Sequence, residues 1–415
     1  MELVKGVNLH FIKSNKFKTN RIKVRFSAPL SSETVAGRVL AASMLSTANQ
    51  LYPSAQTFRE KLASLYGASY TTSVSRRGLV HYVDIDLSFV RDTFLSKKNV
   101  ITNEMVDFLR VSLLAPLAEA GAFEQVTYDI EKKNVIADLE AEIENHFYHA
   151  HQELNRLFFQ KEELKISRFG SVNLVKKETA ESSYAIFQQM LQQDQIDIFF
   201  VGEFNELGMK EKFSKFGFQS RTRELQLHYQ QSFSNVTREQ LERRDSNQSI
   251  LELGYDFQSV YGDENHLPLI VLNGLLGGFA HSKLFVTIRE KESLAYTISS
   301  NFDIFTGMLR IYAGIDGQNR MKVLALISKQ IQGLKRGNFL EQELEQTKKM
   351  VKNAALLAQD RQSTLLERAY LSSVLGKKFL SLNEWLAALD SVTKEDIIRV
   401  AKELHLQAIY FMEGK

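Results

Sequence analysis

The residues best suited to chemistry lie in one stretch of the chain, which combines a glycine pair, a fixed cation and a phenol. Gly277 and Gly278 lack a Cβ, so the backbone there can approach a ligand closely, and with Phe279 they form the predicted substrate-binding segment. Arg289 carries a permanent charge on a forked set of donors, and Tyr296 brings a hydroxyl a few residues later. Together Arg289 and Tyr296 could hold a carbonyl oxygen as it becomes negative, which makes them the candidate catalytic residues.

The elements around this stretch would hold these side chains in place. Leu284, Phe285 and Ile288 recur at helical spacing, so the sequence predicts an amphipathic helix that starts at the glycine-rich turn. Arg289 lies at the edge of the buried face of that helix. A β-rich run from Ala295 to Ser300 follows at once.

The stretch resembles the C-terminal half of the inverzincin (pitrilysin/insulinase) peptidases. Their pattern there reads roughly Gly-Gly-x-Ser-x-Leu-Phe, then Arg-Glu-Lys, then Leu-Ala-Tyr, and this chain carries the same pieces in the same order from Gly277 to Tyr296. The resemblance implies that Arg289 and Tyr296 reach across to a metal site of the other half and hold the substrate carbonyl.

Composition excludes several other classes of protein. A length of 415 residues suits two domains, and a net charge of +3 without a basic run interleaved with aromatics argues against nucleic-acid binding. The absence of cysteine excludes disulfides, thiolate ligands and a cysteine nucleophile. No apolar run approaches the ~20 residues that span a bilayer, and the N-terminus lacks a signal-peptide pattern. We therefore expect a soluble, cytoplasmic protein that does not associate with membranes.

Two halves of the chain repeat each other. Phe58–Leu62 leads to a glycine and then to alternating residues from His81 to Leu87, while Ile288–Lys291 leads to Leu-Ala-Tyr and then to alternating residues from Met308 to Ile315. Both segments predict the order helix, strand, turn, strand. The repeat indicates a duplication.

The duplication predicts an α+β fold of two similar domains, each a mixed or antiparallel sheet layered with helices. Residues 1–219 form the predicted N-terminal peptidase-like domain with a degenerate metal site. Residues 248–415 form the C-terminal one, with the glycine-rich turn and the Arg/Tyr pair. Residues 220–247, rich in Arg, Gln, Glu and Ser, form the predicted linker. The resemblance implies that the domains make a clamshell around a cavity, with its hinge in this linker.

The N-terminal half lacks the metal motif of the family. An active inverzincin carries His-x-x-Glu-His on a helix, where both histidines bind zinc and the glutamate deprotonates water, and this chain contains no such motif. The Tyr-Pro-Ser turn at Tyr52 sets the register, which places Val39 and Ser43 at the histidine positions and Ala42 at the glutamate position of a predicted helix, Ala36–Ala48. Because Val and Ala cannot bind zinc and Ser is a poor neutral ligand, no metal is predicted here.

A later predicted helix, from Asp129 to Phe159, carries the other candidate ligands. The family's third zinc ligand, a glutamate, would fall near Asp138 or Glu140. A stripe of the same helix has a spacing that can bind zinc: Glu142, His146, His149 and Glu153, with His151 nearby. We interpret that stripe as a polar flank of a buried face, and whether it binds any metal stays open.

Other catalytic signatures are absent from the sequence, including a Gly-x-Ser-x-Gly elbow, a phosphate-binding Gly-x-x-x-x-Gly-Lys loop and a dinucleotide Gly-x-Gly-x-x-Gly. His266 and His281 flank the glycine stretch and are interpreted as surface or turn residues. The single tryptophan, Trp385, lies in a predicted amphipathic helix and is interpreted as a core residue. Thr393 is the predicted N-cap of the last helix.

These observations predict a non-catalytic subunit of a heterodimeric zinc peptidase that contributes Arg289 and Tyr296 in trans. The resemblance is closest to the zinc-less members of Gram-positive bacterial pairs, whose partner carries the zinc. The chain is expected to be inactive alone, to hold no cofactor, to bind a zinc-bearing homologue and a peptide substrate, and to be able to form a homodimer when isolated. The alternative is a peptide-binding or scaffold protein with no part in catalysis.

Overall fold

Two large sheets and one short two-stranded sheet form the β-structure of the computed structural model, which describes residues 1–96 and 100–414. The strands are, in chain order, β1 (Glu2–Val4), β2 (Val7–Lys13), β3 (Thr19–Pro29), β4 (Ser69–Arg77), β5 (Val80–Val90), β6 (Ala118–Glu119), β7 (Ala122–Phe123), β8 (Gln195–Gly202), β9 (Arg238–Arg244), β10 (Ser249–Asp256), β11 (Ala295–Asp303), β12 (Met308–Ile315) and β13 (His405–Gly414). The three segments that the sequence predicted as strands, His81–Leu87, Ala295–Ser300 and Met308–Ile315, lie in β5, β11 and β12.

The helices lie between these strands. They are, in chain order, α1 (Val35–Thr47), α2 (Ala55–Ser64), α3 (Val100–Leu114), α4 (Gln125–Glu144), α5 (His146–Phe158), α6 (Glu162–Lys165), α7 (Val172–Lys177), α8 (Ala180–Gln193), α9 (Glu206–Ser214), α10 (His266–Asn273), α11 (Arg320–Lys335), α12 (Glu341–Ala358), α13 (Gln362–Leu375), α14 (Leu382–Asp390) and α15 (Lys394–Lys402). The predicted helix Ala36–Ala48 is confirmed as α1, and Thr393 caps α15 as predicted.

The chain folds into two compact units. Unit 1 comprises Met1–Ala141, Ile166–Leu227 and Gln359–Tyr370, and unit 2 comprises Glu142–Lys165, His228–Ala358 and Leu371–Lys415. Each unit therefore contains a segment from the other half of the chain. Among the helices of the described ranges, none is long and apolar enough to cross a bilayer.

The two units share one sheet topology. The strand order is β1-β2-β8-β3-β5-β4 in unit 1 and β11-β12-β10-β13-β9 in unit 2. In each sheet one pair is parallel, β2 with β8 and β9 with β13, and the pairs that match across the two units are otherwise antiparallel. Five strands of unit 1, in the order β4-β5-β3-β8-β2, match the five strands of unit 2, in the order β11-β12-β10-β13-β9. The matched strands have the same connectivity and the same relative directions. This match confirms the predicted α+β fold, in which both parts contain a similar sheet layered with helices.

Strand β9 lies inside the segment that the sequence analysis assigned to the linker, residues 220–247. It pairs in parallel with β13 as an edge strand and occupies the place that β2 has in unit 1. Its sequence, Arg-Glu-Gln-Leu-Glu-Arg-Arg, is charged, and Leu241 is 46% exposed. Charged residues are common on edge strands, where they discourage pairing with other chains. A strand made of such residues lacks the apolar alternation by which strands are recognised in a sequence.

The predicted single helix from Asp129 to Phe159 is wrong, because the structure breaks it in two at Asn145. Asn145 has an extended backbone, and its side chain accepts a hydrogen bond from the Tyr148 amide, which makes it the N-cap of α5. The chain passes from unit 1 to unit 2 near this break. Helix α5 then packs on β10 and β13, where the Phe158 ring occupies the space that a side chain at Gly254 would need.

Just as α5 from the first half of the chain packs in unit 2, the part of α13 up to Tyr370, from the second half, packs in unit 1. Its residues Glu367 and Tyr370 lie over β3 and β5, where the Tyr370 hydroxyl donates to the Tyr82 hydroxyl at 3.0 Å. Arg25 donates two hydrogen bonds to Glu367, at 2.6 and 3.1 Å, and two to Asp84, both at 2.8 Å. Burial alone would raise the pKa of Asp84, but Arg25 and Lys23 reverse this and hold that pKa below its usual value.

Candidate functional site

The glycine pair ends one helix instead of starting the next, which corrects the sequence prediction. Helix α10 continues into a π-helical segment, Gly274–Gly278, and the backbone becomes extended at Phe279. A Cβ at Gly277 would lie 2.7 Å from both the amide nitrogen and the Oγ of Ser300 on β11. The Ser299 hydroxyl donates to the Gly277 carbonyl at 2.9 Å. Glycine is therefore required here because the segment lies against the strand.

A second π-helical segment, Phe285–Lys291, positions Arg289. Leu284 and Ile288 are fully buried, while Arg289 is exposed, as the helical spacing predicted. The Arg289 guanidinium lies 4.7 Å from the centre of the Phe285 ring. Within residues 1–96 and 100–414 it makes no ion pair or hydrogen bond, and nearby Glu292 instead pairs with Lys322 at 2.8 Å. The ring contact orients the cation without satisfying its donors.

Tyr296 lies at a β-bulge near the start of β11. Ala295 pairs with Ile315 and Thr297 pairs with Gly314, so Tyr296 is the extra residue of the strand. Its side chain is 70% exposed. Just before the strand, Ser293 has a φ of 53°, a left-handed conformation that non-glycine residues seldom adopt.

Backbone irregularities therefore concentrate around the candidate residues: two π-helical segments, a left-handed serine and a β-bulge within Gly274–Thr297. π-helical turns, bulges and strained residues are common at functional sites, where they aim side chains that regular structure would point elsewhere. The structure gathers the predicted glycines, Arg289 and Tyr296 on consecutive elements of unit 2. Their roles in substrate binding and catalysis remain predictions.

A polar cluster lies beside this segment. His281 Nε2 bonds to the Thr347 hydroxyl at 2.9 Å, and that hydroxyl donates to the Glu343 carbonyl at 2.8 Å. Lys283 contacts both carboxylate oxygens of Glu343, at 2.6 and 2.7 Å. Burial lowers the pKa of His281, so its ring is neutral near pH 7. His281 is thus a half-buried structural residue that joins the glycine segment to α12, not a free surface histidine.

The degenerate metal positions lie on α1 in unit 1. Val39 and Ala42 are buried against the core. The Ser43 hydroxyl donates to one oxygen of Glu131 at 2.5 Å, and the Thr47 hydroxyl donates to the other at 3.0 Å. The carboxylate that faces α1 is thus Glu131. Zinc needs three protein ligands at such a site, and one carboxylate with two hydroxyls does not supply them.

Asp138 and Glu140, near which the family's third ligand was expected, are exposed on α4, and Glu131 is the acid that contacts α1. Glu131 lies inside the predicted helix, but its contact with Ser43 and Thr47 depends on how α1 and α4 pack. Glu124 marks the start of α4, since its carboxylate accepts the amides of Val126 and Thr127.

The His/Glu stripe does not form one surface, because α4 ends at Glu144 before its histidines begin. His149 Nε2 bonds to Glu242 of β9 at 2.8 Å, and the Tyr410 hydroxyl donates to the same oxygen at 2.5 Å. Burial would raise the pKa of Glu242, but these hydrogen bonds lower it to about 2. Glu153 pairs with Arg156. In the part of the chain that the structure describes, no group of three or more His, Asp or Glu side chains could hold a metal ion.

Known proteins resemble the chain along most of its length. Residues 177–351 match the family model described as "Peptidase M16 inactive domain". The chain is 28% identical over 411 residues to "Probable inactive metalloprotease YmfF" of Bacillus subtilis (strain 168), covering 99% of this chain and 96% of that protein. A crystal structure of a conserved protein from Enterococcus faecalis V583 superposes with a TM-score of 0.96 at 42% identity, covering 100% of this chain and 98% of that chain.

A shorter match reaches a second kind of relative. Over 164 residues the chain is 30% identical to "Uncharacterized zinc protease YmxG" of Bacillus subtilis (strain 168), covering 39% of this chain and 40% of that protein. The sheet topology, the ordered motifs and these matches together identify the chain as an inactive M16-like peptidase homologue, similar to the pitrilysin/insulinase (inverzincin) peptidases. It lacks the His-x-x-Glu-His zinc motif, and over its whole length it is similar to a probable inactive metalloprotease.

Proposed function

We propose that this chain is the non-catalytic subunit of a heterodimeric zinc peptidase and that it supplies Arg289 and Tyr296 in trans. The observation that carries the proposal is the combination of an exposed guanidinium without a carboxylate partner in the described ranges and an exposed tyrosyl on a bulged strand. Both occur in a chain whose own metal positions hold no ligand set.

Relatives of both kinds in one organism support a partner. The strain 168 of Bacillus subtilis contains a probable inactive metalloprotease and an uncharacterised zinc protease that both match this chain. The partner is accordingly a homologue with the zinc motif. The zinc motif of that subunit would hold the metal, which would supply the activation of the attacking water.

The residues of this chain act on the substrate carbonyl. The Arg289 guanidinium and the Tyr296 hydroxyl donate hydrogen bonds to the oxygen as it becomes negative. Among residues 1–96 and 100–414 the Phe285 ring is the one recorded partner of the Arg289 guanidinium, so no carboxylate of that part of the chain competes for its donors. Preorganised donors of this kind are worth about 3 kcal/mol each in comparable sites.

A peptide-binding or scaffold protein is the second candidate. The hydrogen bonds from Ser43 and Thr47 to Glu131 favour it, since they satisfy the carboxylate at the former ligand position without any reactive group. In this case the chain stabilises its partner or captures peptides and takes no part in the chemical step.

Substitution in a reconstituted pair separates the two candidates. Arg289→Ala and Tyr296→Phe are expected to lower kcat on the order of 10²-fold each, because the donors act mainly in the transition state. Complex formation by size-exclusion chromatography and peptide turnover are measured on the same samples. Assembly is expected to be unchanged.

Matched controls use side chains with similar exposure. Arg336→Ala removes another exposed arginine of unit 2, and Tyr66→Phe removes the hydroxyl of a tyrosine that is 69% exposed. Both controls should leave turnover intact. Intact complexes with full turnover in the Arg289 and Tyr296 variants would eliminate the catalytic-partner proposal and leave the scaffold proposal.

A further inference from the structure

A cavity of about 420 Å³ opens in unit 2 between the start of α10, the 3-10 turn Gly376–Lys378 and helices α14 and α15. Its volume falls within the range of small-ligand sites, about 300–1,000 Å³. Trp385 and Leu267 contribute apolar walls. Trp385 is half-buried here, so the prediction that it is a core residue is wrong.

His266 lines the cavity as the first residue of α10, which corrects its interpretation as a surface or turn residue. Its side chain is buried, with the residue 8% exposed. The Gly262 amide donates to His266 Nδ1 at 3.4 Å, so the neutral ring carries its proton on Nε2. Burial lowers the pKa of His266 to about 4, which keeps the ring neutral at physiological pH. Among the described residues Nε2 makes no hydrogen bond, and His266 lines the cavity, so Nε2 can donate to a molecule bound there.

Two lysines add positive charge at the edge of the cavity. Lys377 and Lys378 are exposed, and neither pairs with a carboxylate in the described part of the chain. Gly262 has a φ of +80°, and a Cβ there would lie 2.6 Å from the Lys378 carbonyl. The loop that leads to His266 therefore packs directly against the backbone of the turn that carries both lysines, and both lysines line the same cavity as His266.

The acidic residues that line the cavity are mostly engaged. Asp263 accepts the amides of Val260 and Asn265, at 2.7 and 3.0 Å. Asp396 accepts the Thr393 amide and hydroxyl and pairs with Arg399. Glu264 is exposed to solvent. Two of the three lining carboxylates therefore already accept hydrogen bonds, whereas the two lysines and His266 Nε2 are available as donors.

We propose that this cavity binds a carboxylate carried by an apolar or aromatic side chain. The Lys377 and Lys378 ammonium groups and His266 Nε2 donate to the carboxylate, and Trp385 packs against the side chain. The C-terminal residue of a peptide has this chemistry, and so does a small free carboxylate. The site is independent of the donors proposed for catalysis, so its test does not require a peptidase partner.

The single tryptophan makes the test direct, since Trp385 fluorescence reports occupancy of the cavity in the intact chain. The isolated chain is titrated with an N-acetylated hexapeptide ending in Phe, with its C-terminal amide, and with N-acetyl-phenylalanine. We expect saturable emission changes with the free carboxylate and binding at least about tenfold weaker for the amide, because charge-assisted hydrogen bonds are lost.

Variants locate the binding. Lys377→Gln with Lys378→Gln, and separately His266→Gln, should weaken binding of the free carboxylate by about tenfold or more. Lys210→Gln, an exposed lysine of unit 1, should leave it unchanged. Equal affinity for N-acetyl-phenylalanine and the hexapeptide identifies a small carboxylate as sufficient, and tighter binding of the hexapeptide identifies a peptide C-terminus. No saturable change, or equal binding of acid and amide, would overturn the proposal.

Discussion

At the residue scale, Glu131 is the carboxylate that faces the former metal position, and two hydroxyls one helical turn apart on α1 satisfy it. Each of its oxygens accepts one hydrogen bond, from Ser43 and from Thr47. A carboxylate satisfied in this way has a stable position without a cation. The site is therefore a hydrogen-bonded contact between α1 and α4.

We predict that the purified chain binds no stoichiometric zinc and cleaves no peptide alone, because Val39 and Ala42 cannot act as ligand or base. Elemental analysis after dialysis is the measurement, with a peptide-cleavage assay on the same sample. One tightly held zinc per chain that disappears in a His146→Ala/His149→Ala variant would show that the histidines of α5 form a site after all.

A buried histidine in unit 1 makes stability depend on pH. The Arg38 Nε donates to His81 Nδ1 at 3.0 Å, so His81 Nε2 carries the proton and donates to the Arg168 carbonyl at 2.8 Å. Burial and the charge of Arg38 lower the pKa of His81 to about 3. Below its ordinary pKa of about 6.5 the unfolded chain takes up a proton that the folded chain does not, so this contribution to stability falls as the pH falls.

His81→Gln should flatten that dependence, since glutamine supplies an acceptor and a donor but does not titrate. Between pH 6.5 and 4.5 the free energy of unfolding of the wild type should fall relative to the variant by up to about 1.4 kcal/mol per pH unit. Urea unfolding at a series of pH values measures it. His405→Gln, at a half-buried histidine stacked on Phe233, is the control. Parallel pH profiles for wild type and His81→Gln would contradict the assignment.

At the element scale, the candidate site depends on close contact between the π-helical segment Gly274–Gly278 and β11. The Ser299 hydroxyl donates to the Gly277 carbonyl, and the Ser300 hydroxyl donates to the side-chain oxygen of Asn273 at the end of α10. Gly277 itself lies against the backbone of Ser300. A regular helix with larger side chains would be held away from the strand. The segment therefore links α10 rigidly to the strand that carries Tyr296.

A pair of glycine substitutions tests this contact. Gly277→Ala should lower the free energy of unfolding by about 1–3 kcal/mol, because its Cβ would overlap the Ser300 backbone. Gly333→Ala, inside α11 with its nearest neighbour at 3.8 Å, should raise it by about 0.5–1 kcal/mol. Chemical denaturation followed by circular dichroism compares them. A neutral Gly277→Ala would show that the segment can move away from β11 at no cost.

At the scale of the whole molecule, each half of the chain completes the unit that the other half builds. Residues Gln359–Tyr370 belong to unit 1, and Glu142–Lys165 belong to unit 2. In unit 1 the segment brings Glu367 to the buried guanidinium of Arg25 on β3. The chain therefore cannot be cut between its two halves without removing part of each unit.

Glu367→Ala should consequently destabilise unit 1, although Glu367 is far in sequence from the other residues of that unit. We expect a loss on the order of 2 kcal/mol, because two charge-assisted hydrogen bonds to a buried guanidinium disappear. Asp360→Ala, which removes an exposed ion pair with Lys16 from the same segment, should cost under about 1 kcal/mol. Urea denaturation compares the two variants. Equal effects would show that the segment contributes little to unit 1.

The sequence by itself determined the repeated order of helix and strands, the family resemblance, and the absence of the zinc motif. These follow from local signals, since apolar periodicity reports which face of an element is buried and motifs are read along the chain. The sequence did not predict strand β9, because an edge strand with charged side chains has no apolar alternation from which a strand can be recognised.

Only the tertiary structure decided which residues meet across the fold. Glu131 faces Ser43, α5 and α13 pack in the unit of the other half, and His266 lines a cavity with Trp385. The bulge at Tyr296 likewise depends on the register with β12. Such contacts join residues tens to hundreds of positions apart, and they are fixed by the packing of whole elements, which no local pattern of residue types encodes.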